Sequence, residues 1–473
     1  MATLSAGTDP PATRIEAVMA AIRGRIATRQ LTPGARLPSV RQAAQTLGVS
    51  VSTVVEAYER LAADGVIRSR PGSGFYVSAP LAPLTLARIG PRLDREVDPL
   101  WVSRQSLEAG PEMLRPGCGW LPPEWMPEAA LRRALKTAAR AELVALTDYS
   151  EPSGNARLRG LLARRLGERQ VPAGPDSLLV TGSGTEAIDL VCRFLLAPGD
   201  RVLIDDPCYF NFRALLAAHR VEAIGVARTP AGPDVAAFRA ALAAHTPRLY
   251  VTNSALHNPT GGTLSPGVAH QILTLAEAAD LVVVEDDIFA DFEPVPSPRY
   301  AAFDGLNRVV QVGSFSKTLT AAVRCGFIAA RADWIEELAD LALATRFGPP
   351  RLSADLMLTL LSDGSYRRHV EALRDRLAGA MSATLARLEA LGIVADPRPV
   401  AGMFLWGRLP DGLDAAAVAR RALAEGVVLA PGDVFSVSRS AGDRLRFNVA
   451  QCADPRIFAV LERAMAETRG DLR

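Results

Sequence analysis

Lysine is nearly missing from the sequence: of 53 basic residues only Lys136 and Lys317 are lysines, and arginine supplies the remaining positive charge. Long apolar runs are also missing, because none reaches the ~18 residues of a membrane-spanning helix. The five cysteines are far apart and lack the paired spacing of a zinc site or a disulfide framework. The first ten residues lack the basic and apolar stretches of a secretory signal. We therefore expect a cytoplasmic protein with no metal site, no disulfides and no membrane association.

Length and charge distribution indicate several domains. A chain of 473 residues is too long for one compact core and predicts two or three domains. The net charge is +2, but residues 1–78 contain nine arginines and five acidic residues, a local charge of about +4. Such a modest basic bias on a small domain permits DNA binding without establishing it.

The first 78 residues predict three helices and a β-hairpin. Apolar residues at helical spacing predict a first helix that ends before Thr32-Pro33-Gly34. Ser39 can cap a second helix, and either Ser50 or Ser52 can cap a third. Two short strand-like segments then surround Pro71-Gly72-Ser73-Gly74. Three helices followed by a hairpin predict a winged helix-turn-helix.

The segment Arg14 to Val77 resembles the winged helix-turn-helix of the GntR regulators. The motifs that carry the resemblance are Pro33-Gly34-Ala35-Arg36-Leu37-Pro38-Ser39-Val40-Arg41, Gly48-Val49-Ser50 and Arg70-Pro71-Gly72-Ser73-Gly74. The resemblance implies that the third helix enters the major groove of double-stranded DNA while basic and wing residues reach phosphates and the minor groove. The residues expected to contact DNA are Arg36, Arg41, Ser50, Ser52, Thr53, Arg70, Gly72 and Gly74. Position 51 is valine, where this family often has a basic residue on the third helix. The alternative to DNA binding is that the three helices form a simple packing unit.

The rest of the chain alternates between strand-like and helical segments. The strand-like runs are residues 178–181, 201–205, 248–253, 281–286 and 309–313. This alternation predicts an α/β domain built on a mainly parallel sheet. Prolines, mixed charge and weak periodicity over residues 79–104 indicate a linker. The predicted domains are therefore 1–78 and 105–473, with the linker 79–104 between them.

Lys317 is the most informative residue of the second domain. It lies in Gly313-Ser314-Phe315-Ser316-Lys317-Thr318, directly after a predicted strand, and ligand sites of open α/β sheets lie at the carboxyl ends of strands. Arginine cannot replace an amine that forms an imine, so a lysine retained in an arginine-using chain points to covalent chemistry. Lys136 falls in a helix-like stretch and is expected to be solvated. A surface lysine is the alternative for Lys317 as well.

Residues 110–465 resemble the fold-type-I aminotransferases, which bind pyridoxal 5′-phosphate and carry a smaller α+β domain beside the large one. Four motifs accompany the Lys317 turn in the order of that family: Thr181-Gly182-Ser183-Gly184-Thr185, Asp206-Pro207-Cys208-Tyr209, Asn258-Pro259-Thr260-Gly261 and Glu285-Asp286-Asp287. The resemblance implies that Lys317 forms a Schiff base with the cofactor. It assigns cofactor contacts to Ser183, Gly184, Thr185, Ser314 and Arg324 at the phosphate, Tyr209 on the ring face, Asn258 at O3′ and Asp286 at the ring nitrogen.

Two further residues complete the resemblance, and one position departs from it. Tyr149 matches a tyrosine that reaches the phosphate of the neighbouring subunit, and Arg446 matches the arginine that clamps the α-carboxylate of a bound amino compound. Asp287 is the alternative to Asp286, and a surface ion pair is the alternative for Arg446. The departure is Ile288-Phe289, where aminotransferases commonly have a tyrosine that donates a hydrogen bond to O3′.

Both domains in this order resemble the MocR subgroup of GntR regulators. The resemblance implies a homodimer that binds DNA through two winged helices and senses a small amino compound through an external aldimine at Lys317. We therefore expect a transcription regulator, with residual aminotransferase activity left open. Two alternatives remain: an active aminotransferase that carries a DNA-binding domain, and a dimerisation scaffold that has lost the cofactor.

Overall fold

The computed structural model of the protein describes residues 13–28, 30–78 and 100–471. The chain divides into two compact units, Met1–Arg95 and Glu96–Arg473. Residues 79–99 of the predicted linker lie outside the described residues. In the described part of the chain, no helix is long and apolar enough to cross a membrane.

The first unit contains the three helices and the hairpin that its sequence predicts. Their bounds are α1 (Arg14–Ala27), α2 (Val40–Leu47), α3 (Val51–Ala63), β1 (Ile67–Arg70) and β2 (Gly74–Val77), and the two strands pair antiparallel. The core is formed by the apolar faces of all five elements, including Val18, Ile22, Val54, Leu61, Ile67 and Val77. The fold is therefore a helix-turn-helix with a two-stranded wing.

Capping side chains define the helix ends of this unit. Ser39 Oγ accepts a hydrogen bond from the Gln42 amide at the start of α2, and Ser50 Oγ accepts one from the Thr53 amide at the start of α3. Of the two serines proposed for that role, Ser50 is therefore the cap. Gly48 ends α2 with a φ of 65°, a left-handed conformation that glycine adopts without strain. These features fix the turn between the two helices.

An eight-stranded mixed sheet forms the centre of the second unit. Its strand order is β3-β10-β9-β8-β7-β4-β5-β6. Six strands run parallel to one another, while β6 and β10 run in the opposite direction. The bounds are β3 (Leu178–Thr181), β4 (Arg201–Asp206), β5 (Glu222–Thr229), β6 (Gly232–Pro233), β7 (Leu249–Thr252), β8 (Val282–Asp286), β9 (Val309–Ser314) and β10 (Gly326–Ala329).

Helices cover both faces of the large sheet because its central strands are apolar on both sides. One core lies on each face, and the side chains of β7 alternate between them: Tyr250 packs into one core and Val251 into the other. The helices of the second unit are α4 (Trp101–Glu108), α5 (Glu128–Ala138), α6 (Leu143–Thr147), α7 (Ala156–Gly167), α8 (Gly184–Leu195), α9 (Phe210–Ala218), α10 (Val235–His245), α11 (Pro266–Ala278), α12 (Tyr300–Asp304), α13 (Ala332–Arg346), α14 (Arg351–Ser362), α15 (Ser365–Ala390), α16 (Ala415–Ala424) and α17 (Arg456–Gly470).

A four-stranded antiparallel sheet with the order β11-β12-β14-β13 forms a smaller α+β part. Its strands are β11 (Val394–Ala395), β12 (Phe404–Arg408), β13 (Ala430–Pro431) and β14 (Arg444–Asn448). Residues of α15, α16 and α17 share its core. Helix α4 begins at Trp101, inside the stretch that the sequence assigns to the linker, because Trp101 and Val102 are buried in this same core.

The parallel strands bring the predicted site residues to one edge of the large sheet. The turns after β3, β4, β7, β8 and β9 all lie at its carboxyl edge, because these strands run in one direction. These turns carry Ser183, Tyr209, Asn258, Asp286 and Lys317, which either end the strand or follow it within six residues. Residues spread over 134 positions of sequence can therefore share one site.

Candidate cofactor pocket and DNA-binding face

A cavity of about 500 Å³ lies at this carboxyl edge. It is lined by every residue that the sequence assigns to the cofactor or effector except Tyr149. The lining residues of that set are Ser183, Gly184, Thr185, Tyr209, Asn258, Asp286, Ser314, Lys317, Arg324 and Arg446. The fold thus brings the dispersed motifs together around a space large enough for a small organic molecule.

Lys317 is held at the cavity wall by a short hydrogen bond. Its Nζ donates to the Gly119 carbonyl over 2.6 Å. Burial, together with the positive charge of Arg446, lowers the pKa of Lys317 to about 8. A substantial fraction of the amine is therefore neutral near physiological pH, and the neutral amine is the nucleophilic form.

Arg446 lies on β14 and is almost completely buried, with 1% of its surface exposed. Its two terminal nitrogens donate to Asn258 Oδ1 (2.9 Å) and to the Gly117 carbonyl (2.6 Å), while its Nε has no hydrogen-bond partner in the described part of the chain. The guanidinium stacks over the rings of Phe404 and Phe435, 4.3 and 4.8 Å from their centroids. Burial lowers the pKa of Arg446 to about 10. A buried cation without a carboxylate partner is suited to bind an anion.

The departure at residues 288–289 leaves the cavity without the expected tyrosine hydroxyl. Ile288 and Phe289 both line the cavity, and the Phe289 ring packs edge-on against Phe404 at 5.5 Å. Asn258 accepts a hydrogen bond from Arg446 through Oδ1, so its amide nitrogen is left to donate to a ligand. Asn258 is therefore the residue on this wall that can donate to an O3′ oxygen.

The two neighbouring aspartates at the end of β8 have different surroundings. Asp286 lines the cavity, where its Oδ1 accepts a hydrogen bond from the Ile288 amide (3.2 Å), and burial raises its pKa to about 6. Asp287 instead accepts hydrogen bonds from the buried Arg299 (2.8 Å) and from Gln311 (3.0 Å). Asp287 is therefore held in a structural ion pair, and Asp286 is the carboxylate that is available to a ligand.

The start of α8 forms the opposite end of the cavity. Ser183 caps this helix by accepting a hydrogen bond from the Glu186 amide (3.0 Å), and the amides of Gly184 and Thr185 lie in its first turn. The positive end of the helix dipole favours an anion at this position. Ser314 donates to the Cys325 carbonyl (3.1 Å), and Arg324 has a left-handed φ of 52°, a strained conformation of the kind found at functional sites.

A buried polar network supports the turn that carries Lys317. Thr318 Oγ1 is hydrogen bonded to the Tyr366 hydroxyl (2.8 Å), and the Thr318 carbonyl contacts His369 Nε2 (2.7 Å). The same Tyr366 hydroxyl donates to Asp291, which also pairs with Arg165 (2.8 Å). Helices α7 and α15 are thereby connected to the residue next to the lysine.

Tyr149 lies outside the cavity, and 69% of its surface is exposed. Its ring packs against Phe347 with centroids 4.6 Å apart. Large apolar side chains are exposed on the neighbouring helices α5, α6 and α14, and in the turn after α13: Leu135, Leu143, Val144, Leu146, Phe347 and Leu352. We call these side chains and Tyr149 the apolar patch.

Several lining residues have no counterpart in the sequence prediction. Gly119 and Gly117 accept the hydrogen bonds of Lys317 and Arg446, and a Cβ at Gly117 would lie only 2.5 Å from the Leu429 backbone. Ser316, within the Lys317 turn, also lines the cavity. The glycine-rich run Pro116-Gly117-Cys118-Gly119 is the signal that could have indicated a close backbone approach. Helix α4 adds Val102, Ser103, Ser106 and Leu107, and no sequence motif marks it.

The first unit exposes the side chains expected to bind DNA. Arg36, Arg41, Ser50, Ser52, Arg70, Gly72 and Gly74 are exposed, and Thr53 is half-buried. Ser50 Oγ is hydrogen bonded to Ser52 Oγ (2.9 Å) and Thr53 Oγ1 (2.7 Å), so its main contribution is to cap α3. This unit also exposes Arg68 on β1 and Val51 and Val55 on α3. These three residues are not among the DNA contacts predicted from the sequence.

Two family models match the chain. The model of bacterial regulatory proteins of the gntR family matches residues 14–77, and the model of aminotransferase class I and II matches residues 122–463. The uncharacterized HTH-type transcriptional regulator YdcR of Escherichia coli is 30% identical over 91% of this chain and 93% of its own. The HTH-type transcriptional regulator TauR of Rhodobacter capsulatus is 30% identical over 87% of each chain.

A solved aminotransferase structure also matches the second unit. The α-aminoadipate aminotransferase LysN of Thermus thermophilus, complexed with N-(5′-phosphopyridoxyl)-L-leucine, is 27% identical and matches with a TM-score of 0.71. The match covers 80% of this chain and 96% of that one. The protein is thus a transcription regulator with an aminotransferase-like domain of fold type I. It belongs to the aminotransferase class I and II family and, with its GntR domain, has the MocR architecture, which confirms the resemblance and the fold class predicted from the sequence.

Membership of this family implies pyridoxal phosphate as the cofactor, and the cavity residues fit that group. The start of α8 is suited to a phosphate, Asp286 to a protonated ring nitrogen and Lys317 to the aldehyde carbon. Arg446 Nε, buried and without a partner in the described residues, leaves one donor for a carboxylate. The contacts are consistent with the cofactor that the sequence predicts.

Proposed function

We propose that this regulator senses an amino compound through pyridoxal phosphate bound covalently at Lys317. The observation that carries the proposal is that Lys317 and Arg446 line one cavity in a chain that also has a GntR domain. Both donate to the same glycine-bordered segment, through the carbonyls of Gly119 and Gly117. An amine and a carboxylate on one carbon atom would therefore meet Lys317 and Arg446 together.

The residues around the cavity have separate tasks in this proposal. When bound, the cofactor supplies an aldehyde that links reversibly to amines and a ring that withdraws electrons. Asp286 holds the ring nitrogen in its protonated form, and Tyr209 packs on the ring face. Asn258 would orient both sides of the site, since its Oδ1 accepts from Arg446 and its Nδ2 is left to donate to O3′. The phosphate would be held by Ser183, Gly184, Thr185, Ser314 and Arg324.

The winged helix supplies the output of the sensor. Arg36, Arg41 and Arg70 neutralise backbone phosphates, and Ser52 and Thr53 at the start of α3 face base edges of the major groove. Gly72 and Gly74 let the wing approach the minor groove closely. Because its target is genomic DNA in a bacterium, we place the protein in the cytoplasm.

We also propose a homodimer whose two subunits meet at the apolar patch. Exposed leucines and aromatic rings on neighbouring elements form an unusual surface for a monomer, and such surfaces mark interfaces. Tyr149 belongs to this patch and would reach the phosphate site of the partner subunit. Leu143→Asp would place a charge in the patch, and sedimentation analysis should then show monomers; an unchanged dimer would contradict this interface.

The proposal is tested with absorption spectra of purified wild type and Lys317→Ala after addition of pyridoxal phosphate. We expect the visible band of a lysine-bound cofactor only in the wild type. Titration with amino acids should shift that band for at least one compound, and the same compound should change the affinity for the DNA upstream of the gene. No keto acid should accumulate at ordinary enzyme rates.

Two results would overturn this interpretation. Rapid keto-acid release with unchanged DNA binding would establish the alternative, an active aminotransferase that carries a DNA-binding domain. A colourless wild type after cofactor addition would leave the second unit as a dimerisation scaffold. Lys136→Ala serves as the matched lysine control, because Lys136 is exposed on α5 outside the cavity.

A further inference from the structure

The wall of the cavity formed by α4 carries polar groups that the proposed cofactor contacts do not use. Four residues of α4 line the cavity, and the neighbouring Arg115 and Asn211 line it as well. The phosphate, ring nitrogen, amine and α-carboxylate of a bound complex are already assigned to other residues. The groups on this wall are therefore left for the side chain of the effector.

Charge balance gives the strongest indication of what that side chain contains. The cavity is lined by four cationic side chains, Lys317, Arg324, Arg446 and Arg115, and by one carboxylate, Asp286. Of the three arginines, the cofactor phosphate would offset Arg324 and the α-carboxylate would offset Arg446. The charge of Arg115 remains, and no described residue places a carboxylate within 4 Å of it.

The contacts of Arg115 leave part of its guanidinium unused. One terminal nitrogen donates to the carbonyls of Ala109 and Gly110, both at 3.3 Å, just beyond the end of α4. The other terminal nitrogen and Nε have no partner among the described residues. This geometry holds the guanidinium in place and keeps two donor nitrogens for a second anion.

Ser106 provides a second, independent indication. It is fully buried on α4, and its hydroxyl has no hydrogen-bond partner in the described part of the chain. Two helical serines elsewhere in this protein donate to the carbonyl four residues before them: Ser362 to Leu358 (2.6 Å) and Ser382 to Ala378 (3.1 Å). A buried hydroxyl left unpaired is costly, so a partner that enters the cavity would be favoured.

We propose that the effector is an amino acid with a second anionic group at the end of its side chain, a carboxylate or a sulfonate, bound by Arg115 with Ser106 and Ser103 of α4. This inference rests on the proposed function, since it describes the ligand of the same cavity. Helix α4 is the first helix after residues 79–99, so the effector would contact the segment that leads back to the DNA-binding domain.

The test compares acids with their amides, which have nearly the same size but no charge at the end of the side chain. The shift of the visible cofactor band is titrated with aspartate and asparagine, glutamate and glutamine, and 2-aminoadipate and its ω-amide. We expect the acid of at least one pair to bind about 10- to 100-fold more tightly than its amide, the range for hydrogen bonds to charged groups. Arg115→Gln should abolish this preference and leave the affinity for the amide unchanged.

Matched variants separate recognition from folding. Arg104→Gln removes an exposed arginine of α4 that does not line the cavity and should keep the full preference. Arg115→Lys keeps a charge and should keep part of the preference. Ser106→Ala should weaken binding of the acid severalfold and leave the amide unaffected. Each variant is first shown to give the wild-type cofactor band.

The outcomes distinguish this inference from the proposed function. Equal affinity for acid and amide in every pair, or an unchanged preference in Arg115→Gln, would overturn the inference while the sensor proposal stands. The absence of any band shift with any amino compound would overturn both. An acid preference that disappears in Arg115→Gln, decreases in Ser106→Ala and persists in Arg104→Gln would support it.

Discussion

The ion pairs of Arg299 allow a test of the different roles of Asp286 and Asp287 at the end of β8. The Arg299 side chain is completely buried, and it contacts the carboxylates of Asp287 (2.8 Å) and Glu293. Arg299→Met keeps much of the apolar stem but leaves two buried carboxylates without their cation. We expect this change to destabilise the second unit by about 3–5 kcal/mol, the usual result of breaking a buried pair from one side.

The size of the unit converts this energy into a modest temperature shift. For a cooperative unit of some 370 residues, the expected decrease in Tm is about 4–6 °C, because the entropy of unfolding increases with chain length. Differential scanning calorimetry of the cofactor-free protein measures it directly. Arg456→Met is the control, since it removes an exposed pair with Asp454 (2.7 Å) and should leave Tm unchanged.

Calorimetry together with the visible cofactor band tests which of the two aspartates is structural. Because Asp287 is engaged by Arg299, Asp287→Asn should lower Tm and retain the visible cofactor band, whereas Asp286→Asn should alter the band with little change in Tm. An Arg299→Met protein as stable as the wild type would contradict the structural role of this ion pair. So would a cofactor band that is lost in Asp287→Asn and retained in Asp286→Asn.

Three further predictions follow from the site and from the winged helix. The rate at which Lys317 binds pyridoxal phosphate covalently should increase as the pH rises through about 8, because the neutral amine reacts. Arg446→Met should move this midpoint to higher pH, because the positive charge of Arg446 lowers the pKa of Lys317. Stopped-flow absorbance measures both effects. Tyr366→Phe should cost about 1–3 kcal/mol in thermal unfolding, since it removes a buried hydroxyl that joins the lysine turn to α7 and α15; an unchanged Tm would contradict the role of that network. Arg70→Gln should weaken DNA binding and reduce the slope of log affinity against log salt by about one, while Arg132→Gln in the second unit changes neither.

Much of the fold was predictable because its signals are local. Five strands of the large sheet begin and end within one residue of the predicted runs, since buried parallel strands are short, continuous apolar segments with polar turns. The winged helix was predictable for the same reason, because caps and turn residues such as Ser39 and Gly48 act within a few positions. Helix α4 was missed at its start because nothing in its sequence marks Trp101 as buried.

The cavity was only partly predictable. Residues in family motifs, such as Asn258 and Asp286, could be named from their order along the chain. The sequence left open whether Asp286 or its neighbour faces the cavity, and only the contact between Asp287 and Arg299 distinguishes them. Gly117 and Gly119 were not singled out, because the carbonyl that accepts the Lys317 hydrogen bond lies 198 positions away in the chain.

Local signals in the sequence were enough to predict the class of protein: a winged helix, an aminotransferase-like α/β domain and one lysine that arginine could not replace. These properties depend on periodicity, caps and short motifs, all of which act over a few residues. The contacts that show which polar groups share a cavity and which buried charges are paired join residues far apart in the chain, so they are visible in the tertiary structure and not in the sequence. Arg115 illustrates the difference, because a guanidinium without a carboxylate partner among the described residues becomes informative only when its position in the cavity is known.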